Sequence, residues 1–172
     1  MAEDDGLDCL DLLEETPPTL RGLMRELSHD DAHWKPAPDR FSVAEVLAHL
    51  SHSEGHCYRM RVDQFLKEEL PEFQEDDAQM YLDLYRDADA EDSLDRFEEQ
   101  RENNIEFLRT LPRSAGGRKA IHKVVGEITL QQMLHEWAMH DLGHIRQIAE
   151  LVRARKHWQA AGRLGEFYQL RP

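Results

Sequence analysis

The sequence has few cysteines, no long apolar stretch and far fewer basic than acidic residues. Its two cysteines, Cys9 and Cys57, are far apart and form no Cys-x-x-Cys pair, which argues against a disulfide framework or a zinc knuckle. No apolar run approaches the roughly 20 residues that cross a bilayer, and the acidic start MAEDDGLD lacks the features of a secretory signal. We therefore expect a cytoplasmic protein that does not enter a membrane.

Charge and size narrow the class of protein further. The formal net charge is -14, and such a surface repels phosphate backbones, so nucleic acid is not an expected partner. A chain of 172 residues suits one domain, which we take to span residues 1–172. Hydrophobic residues make up 40% and charged residues 33%, as is typical of strongly amphipathic helices.

The hydrophobic periodicity predicts four long helical blocks and no convincing strand. Capping boxes begin the second and the fourth block, at Ser42–Glu45 and Thr129–Gln132. The predicted blocks are Leu7–Leu27 with a break at Thr16-Pro17-Pro18, 42–69 before Pro71, Asp92–Leu111 before Pro112, and 129–156. This pattern predicts an all-α helix bundle.

The segments between and after these blocks carry weaker signals. A shorter helical piece is predicted at Asp77–Tyr85, and residues 113–128 are predicted to form an irregular or hairpin-like connection with Val124 and Val125 extended. The tail carries several large apolar groups, and we expect it to fold back on the bundle because these groups would otherwise be wet. They are Trp158, Leu164, Phe167 and Tyr168.

His140 and His144 lie one helical turn apart on the apolar face of the last predicted helix. At about 100° per residue, both fall in the sector around Trp137, where a core stripe normally carries Leu or Ile. A divalent metal satisfies two such rings at once, because side chains four residues apart project side by side. The alternative is that each ring bonds a carbonyl or a carboxylate, since a single His-x-x-x-His is a weak signal.

A catalytic metal usually has three protein ligands, so the histidine pair needs a third. On the second predicted helix, His49 and His56 lie on the flank of the apolar stripe and His52 points further out. Periodicity leaves the choice between His49 and His56 open, and a purely polar flank explains all three equally well. Glu54 is a rival ligand or proton acceptor, and Asp141 could orient an imidazole.

Four stretches of the sequence resemble one known family. FSVAEVLAHLSHSE matches the opening of the family's second helix, and GEITLQQMLHEWAMHDLGHIRQIAEL matches a later helix. WQAAGRLGEFY matches the family's ending, and LDLLEETPPTLRGLM resembles its start. The chain thus resembles the DinB/YfiT-like four-helix bundles over nearly its whole length. It departs from them at Phe41, where the family often has Trp, and at Arg163, where it often has Pro.

The resemblance implies a four-helix bundle with an extra short helix and an irregular connection before the last long helix. It also implies one divalent metal held by His49, His140 and His144, which selects His49 over His56. Zinc or nickel suits three imidazoles, with manganese as the alternative. Family members are commonly homodimers, so the resemblance implies a homodimer.

A three-histidine site suits two kinds of reaction on a small-molecule substrate. One is hydrolysis of an ester or amide, and the other is transfer of a low-molecular-weight thiol to an electrophile. The resemblance favours thiol transfer slightly, because characterised relatives include mycothiol- and bacillithiol-dependent enzymes. The alternative is a non-enzymatic metal-binding stress-response protein, in which Glu54, His56 or Cys57 closes a structural site. DNA binding, which the family name suggests, is opposed by the net charge of -14.

Overall fold

Four long helical segments pack side by side, and each buries an apolar face. The computed structural model describes residues 6–74 and 83–172. In chain order its helices are α1 (Leu10–Met24), α2 (His29–His33), α3 (Val43–Ser53), α4 (Met60–Lys67), α5 (Ala90–Arg109) and α6 (Leu130–Val152). A π-helical turn, Glu54–Arg59, joins α3 to α4. The rod formed by α3 and α4 packs with α1, α5 and α6 as the predicted four-helix bundle.

Both predicted capping boxes are present, and they begin the two helices that carry the candidate histidines. The backbone N–H of Glu45 donates to Ser42 Oγ over 3.2 Å, and the N–H of Ser42 donates to Glu45 Oε2 over 2.7 Å. Thr129 and Gln132 exchange the equivalent bonds over 3.2 and 2.9 Å. Each exchange satisfies two N–H groups that a helix start leaves free, which explains why the sequence located these starts correctly.

The predicted break at Thr16-Pro17-Pro18 is wrong, because α1 runs through both prolines. Pro17 has no N–H, so the carbonyl of Leu13, four residues earlier, loses its helical partner. Nη1 of Arg101 donates to that carbonyl over 2.6 Å, which satisfies the freed oxygen. The helix therefore tolerates the proline because a side chain from α5 takes over the missing bond.

The connection before α6 is a hairpin, one of the two forms predicted for residues 113–128, although the helical periodicity gave no convincing strand there. Strands β2 (Lys119–His122) and β3 (Gly126–Thr129) pair antiparallel, and β1 (Glu72–Phe73) pairs parallel with β2. Val124 and Val125 lie in the exposed turn between β2 and β3, not in an extended segment as predicted. Gly126 follows them with φ +83°, a left-handed conformation that favours glycine.

The tail turns back towards α6 as predicted, since the backbone N–H of Arg171 donates to Oε1 of Glu150 over 2.7 Å, but most of its large apolar groups are not buried by this return. After α6 come a π-helical turn, Arg153–His157, and a 3₁₀ turn, Gly162–Phe167. Gly165 packs against a half-buried Trp158, but Leu164, Tyr168 and Phe167 are exposed, Phe167 by 83%. The predicted helical piece Asp77–Tyr85 falls largely outside the described residues; residues 83–86 are helical. Within the described residues, every helix is too short or too polar to cross a membrane.

A layer of polar residues divides the buried core into two apolar clusters. One cluster surrounds Trp137 and the other surrounds Phe97. Along every helix of the bundle, at least one buried polar residue stands between the members of the two clusters. They include Thr16 on α1, Glu54 at the start of the π-helical turn, Arg101 on α5 and Asp141 on α6.

Arg101 joins these residues into one hydrogen-bonded network. Its Nε and Nη2 donate to the two carboxylate oxygens of Glu54, each over 2.8 Å. Its Nη1 and Nη2 donate to Asp141 over 2.7 and 3.2 Å. Asn104 donates to Glu54 over 2.9 Å, and the Thr16 hydroxyl donates to Asp141 over 2.8 Å. Burial by itself would lower the pKa of Arg101, but the two carboxylates raise it, so the guanidinium stays charged.

We expect Arg101→Met to lower the free energy of unfolding by about 3–5 kcal/mol, because it leaves two buried carboxylates without their cation. Urea denaturation of wild type and variant measures the change. The matched control is Arg96→Met, an exposed position on the same helix, which should stay within about 0.5 kcal/mol of wild type. Equal stability of the Arg101 and Arg96 variants would contradict the role assigned to the network.

Candidate metal centre

Three imidazoles from two helices converge at one point of the bundle. His49 lies on α3, and His140 and His144 lie one turn apart on α6. Nε2 of His49 is 3.1 Å from Nε2 of His140, and one ring nitrogen of each of the three residues lies within 4.8 Å of the others. The structure therefore brings together the three histidines that the family resemblance selected.

The π-helical turn explains why periodicity could not choose between His49 and His56. The turn begins at Glu54, and its wider winding changes the angular phase of every residue after it. His56 consequently lies exposed, with its ring stacked on His52 at 4.5 Å between centroids. His49 precedes the turn and keeps its place beside α6. An assumed angle of about 100° per residue therefore predicts the direction of His49 correctly but not that of His56, which lies within the π-helical turn.

The donor set and its spacing suit a divalent metal. Two nitrogens bound at about 2.0–2.1 Å in tetrahedral geometry are about 3.3 Å apart, close to the 3.1 Å between His49 and His140. Burial, reinforced by the neighbouring imidazoles, lowers the pKa of His49 to about 3. Burial also lowers the pKa of His144. Both rings are therefore neutral at physiological pH, which is the form that binds a metal.

Gln147 fixes the orientation of His144, a contact that sequence reasoning missed. Its side-chain Oε1 accepts from Nδ1 of His144 over 2.9 Å. Because an amide oxygen only accepts, the proton sits on Nδ1 and the lone pair of Nε2 is free for a metal. The signal for this contact was present in the sequence, since a polar residue three positions after a ligand lies on the same helix face.

Asp141 was predicted to orient an imidazole, and the structure gives it a different set of partners. Its Oδ1 is 3.9 Å from Nδ1 of His140, too far for a hydrogen bond, and that buried nitrogen has no hydrogen-bond partner among the described residues. Burial would raise the pKa of Asp141, but its contacts with His140, Arg101 and Thr16 hold it below the usual value. A buried carboxylate thus lies beside one histidine of the cluster, where its charge favours a cation.

The other predicted candidates do not join the histidine cluster. Both carboxylate oxygens of Glu54 are taken by Arg101, so its role as a rival ligand is not realised. His135 is exposed as predicted, although its Nδ1 lies 2.8 Å from Sγ of Cys9. Within residues 6–74 and 83–172, His49, His140 and His144 form the one group of three or more potential ligands.

A cavity of about 800 Å³ opens beside the cluster and is lined by His140 and His144. Pockets for small molecules typically span about 300–1,000 Å³, so this volume fits a small organic substrate. The histidines are only partly buried, as a site that exchanges ligands requires.

Comparisons with known proteins identify the family and the fold. The model of the DinB superfamily matches residues 12–148. Among solved structures, the chain is similar to YfiT from Bacillus subtilis, described as a probable metal-dependent hydrolase with an unusual four-helix bundle topology. That similarity has a TM-score of 0.76 and 27% sequence identity, and it covers 84% of each chain. No curated protein sequence matches the chain significantly.

We expect purified protein to contain about one divalent ion per chain, and His140→Ala or His144→Ala to lose it, since each removes one of three donors. Elemental analysis by mass spectrometry measures the occupancy. His135→Ala is the matched control, because this histidine lies exposed on the same helix outside the cluster. Full occupancy in both cluster variants would rule out the three-histidine site.

Gln147→Leu should weaken metal binding by about 10–100-fold, because the ring of His144 loses the acceptor that fixes its proton on Nδ1. Competition with a chromophoric chelator measures the affinity. Gln147→Glu keeps an acceptor oxygen at this position and should retain most of the affinity. If the Leu and Glu variants bind metal equally well, the hydrogen bond to Gln147 does not orient the ligand.

Proposed function

The chain belongs to the DinB superfamily, and from that premise we propose that it is a metal-dependent hydrolase acting on a small molecule. The observation that carries this proposal is the convergence of His49, His140 and His144, the last two of which line a cavity of about 800 Å³. The description of YfiT, which shares the bundle and 27% of aligned residues, supports the same class of reaction.

In this proposal the three histidines hold one divalent ion, with zinc or nickel best suited to three imidazoles. Such an ion, when bound, lowers the pKa of water and polarises a carbonyl group. The protein contributes neutral rings, because burial lowers the pKa values of His49 and His144. It also contributes a fixed proton on Nδ1 of His144, held by Gln147.

An enzyme is favoured over a structural metal protein by the number of available ligands. A structural zinc site is closed by four protein ligands, whereas a catalytic site has three and keeps a position for substrate or water. In the part of the chain that the structure describes, no fourth His, Cys, Asp or Glu joins the cluster. His56 is exposed, and Glu54 is held by Arg101, so neither closes the site.

Three further expectations from the sequence accompany this proposal. Thiol transfer needs the same three ligands, so the activity assay has to separate it from hydrolysis. The homodimer rests on the family resemblance and is tested by the mass of the protein in solution. The cytoplasmic location rests on the composition of the sequence and is tested by cell fractionation.

We expect the zinc- or nickel-loaded protein to hydrolyse a neutral aryl ester, methyl 4-acetoxybenzoate, without any thiol. Absorbance of the released phenol measures the rate. Removing the metal with a chelator should abolish turnover, adding it back should restore turnover, and His140→Ala should stay inactive in both conditions. Activity with an electrophile such as chlorodinitrobenzene that requires one specific thiol would select the transferase. A loaded protein inactive in both assays would select a structural metal.

A further inference from the structure

The cavity beside the histidine cluster is strongly cationic, although the protein as a whole carries a net charge of -14. Four arginines line it, and the one carboxylate among the lining residues is Glu150. The arginines come from separate parts of the described chain. They are Arg40 before α3, Arg146 on α6, Arg153 in the π-helical turn after it and Arg171 in the tail.

Glu150 does not neutralise this excess, because it already has partners. Its Oε2 accepts from Nη1 of Arg153, and its Oε1 accepts from the backbone N–H of Arg171 over 2.7 Å. The pairing offsets the charge of one guanidinium, that of Arg153. The remaining positive charge faces a cavity that His140 and His144 also line.

Arg40 and Arg146 form no ion pair with any residue that the structure describes, and the same holds for the guanidinium of Arg171 at this cavity and for surface arginines elsewhere, such as Arg96. What separates the first three from Arg96 is that they line one cavity. By contrast, Arg21 contacts three acidic side chains on α5, and Arg109 contacts two on α1. With 35 acidic residues against 21 basic ones, the chain has many acids with which arginines could pair. Guanidinium groups without an acidic partner, gathered at one cavity beside the histidine cluster, therefore point to an anionic partner that is not part of the chain.

We propose that Arg40 and Arg146 bind an oxyanionic group of the substrate, a carboxylate or a phosphate, while the bond to be hydrolysed lies at the histidine cluster. The inference rests on the proposed function and names the substrate class for that same site. A guanidinium presents paired N–H donors in the geometry of a carboxylate or phosphate, and it stays charged at every physiological pH. A local positive potential in an acidic protein also attracts anions selectively to this cavity.

The position of Arg146 is compatible with an anion site next to the histidine cluster. It follows His144 by two residues on α6, so the two side chains leave the helix in different directions while both line the cavity. Arg40 reaches the cavity from the loop before α3, the helix that carries His49. An anion that contacts both arginines inside this cavity would share the space that His140 and His144 line.

Two esters on one scaffold test the proposal with the metal-loaded protein. Hydrolysis of 4-acetoxybenzoate by one water gives acetate and 4-hydroxybenzoate, and its methyl ester is the neutral counterpart. The para carboxylate cannot reach the ester bond, so it does not assist its own hydrolysis. After division by the uncatalysed rates, we expect kcat/KM to favour the anionic ester by about tenfold, as a charge-assisted hydrogen bond predicts.

The arginine variants show whether that preference arises in the cavity. Arg40→Gln and Arg146→Gln should each reduce the preference for the anionic ester, and the double variant should remove it. Arg146→Lys should retain part of it, because it keeps the charge but loses the paired donors. Arg96→Gln, on the exposed face of α5, is the control and should keep both the activity and the preference. An unchanged preference in the double variant would overturn the proposal.

Calorimetry separates this inference from the proposed function, because binding needs no turnover. Benzoate and inorganic phosphate are titrated into the metal-loaded protein, with benzamide as the neutral analogue. We expect at least one of the two anions to bind about tenfold more tightly than benzamide, and the double variant to lose this difference. Which anion binds better distinguishes a carboxylate from a phosphate substrate.

Arginine-dependent anion binding without hydrolysis of either ester would uphold the anion site and reject the hydrolase. Hydrolysis of both esters with no anion preference and no effect of the double variant would reject the anion site and uphold the hydrolase. Binding of neither anion to the loaded wild type would also overturn the anion site.

Discussion

The fold is organised around one buried guanidinium. Arg101 reaches from α5 to a carboxylate of the α3–α4 rod, a carboxylate of α6 and a carbonyl of α1, so a single side chain contacts all the other bundle helices. A charge in this position is costly unless every partner is in place, which makes the relative placement of the helices specific. The same network contains Asp141, the neighbour of His140, and it thereby connects the packing of the bundle to the geometry of the site.

The histidine cluster combines two electrostatic conditions that usually oppose each other. Burial keeps the rings of His49 and His144 neutral, so they offer lone pairs and not positive charge. Directly beside His140, the buried network carries two carboxylates against a single guanidinium. Neutral imidazole nitrogens beside a buried network with a net negative charge favour the binding of a divalent cation over the binding of protons.

The cavity that His140 and His144 line differs in charge from the protein as a whole. The chain as a whole is acidic, yet the lining of the cavity is rich in arginine, and three of these four guanidinium groups form no ion pair with a residue that the structure describes. The net charge of -14 makes polyanionic partners such as DNA unexpected, but it says nothing about a local concentration of the opposite sign. A cavity of about 800 Å³ has the size of a pocket for a small molecule.

Local sequence patterns are sufficient to predict the features that depend on neighbouring residues. These are the capping boxes at Ser42 and Thr129, the one-turn spacing of His140 and His144, and the amphipathic faces that predict a bundle. The family resemblance added His49, which periodicity alone did not select. These inferences hold because each rests on a few consecutive turns of regular helix.

Tertiary structure decided what depends on residues distant in the chain. Arg101 donates to the carbonyl that Pro17 leaves without a partner, so α1 continues through the proline. Arg101 also binds Glu54 in the core, so Glu54 is not the metal ligand that the sequence allowed. The π-helical turn after His49 changes the helix phase, so no constant angle per residue could place His56. The arginine-lined cavity forms where a loop, a helix and the tail meet, and separations of that size leave no periodic signal in a sequence.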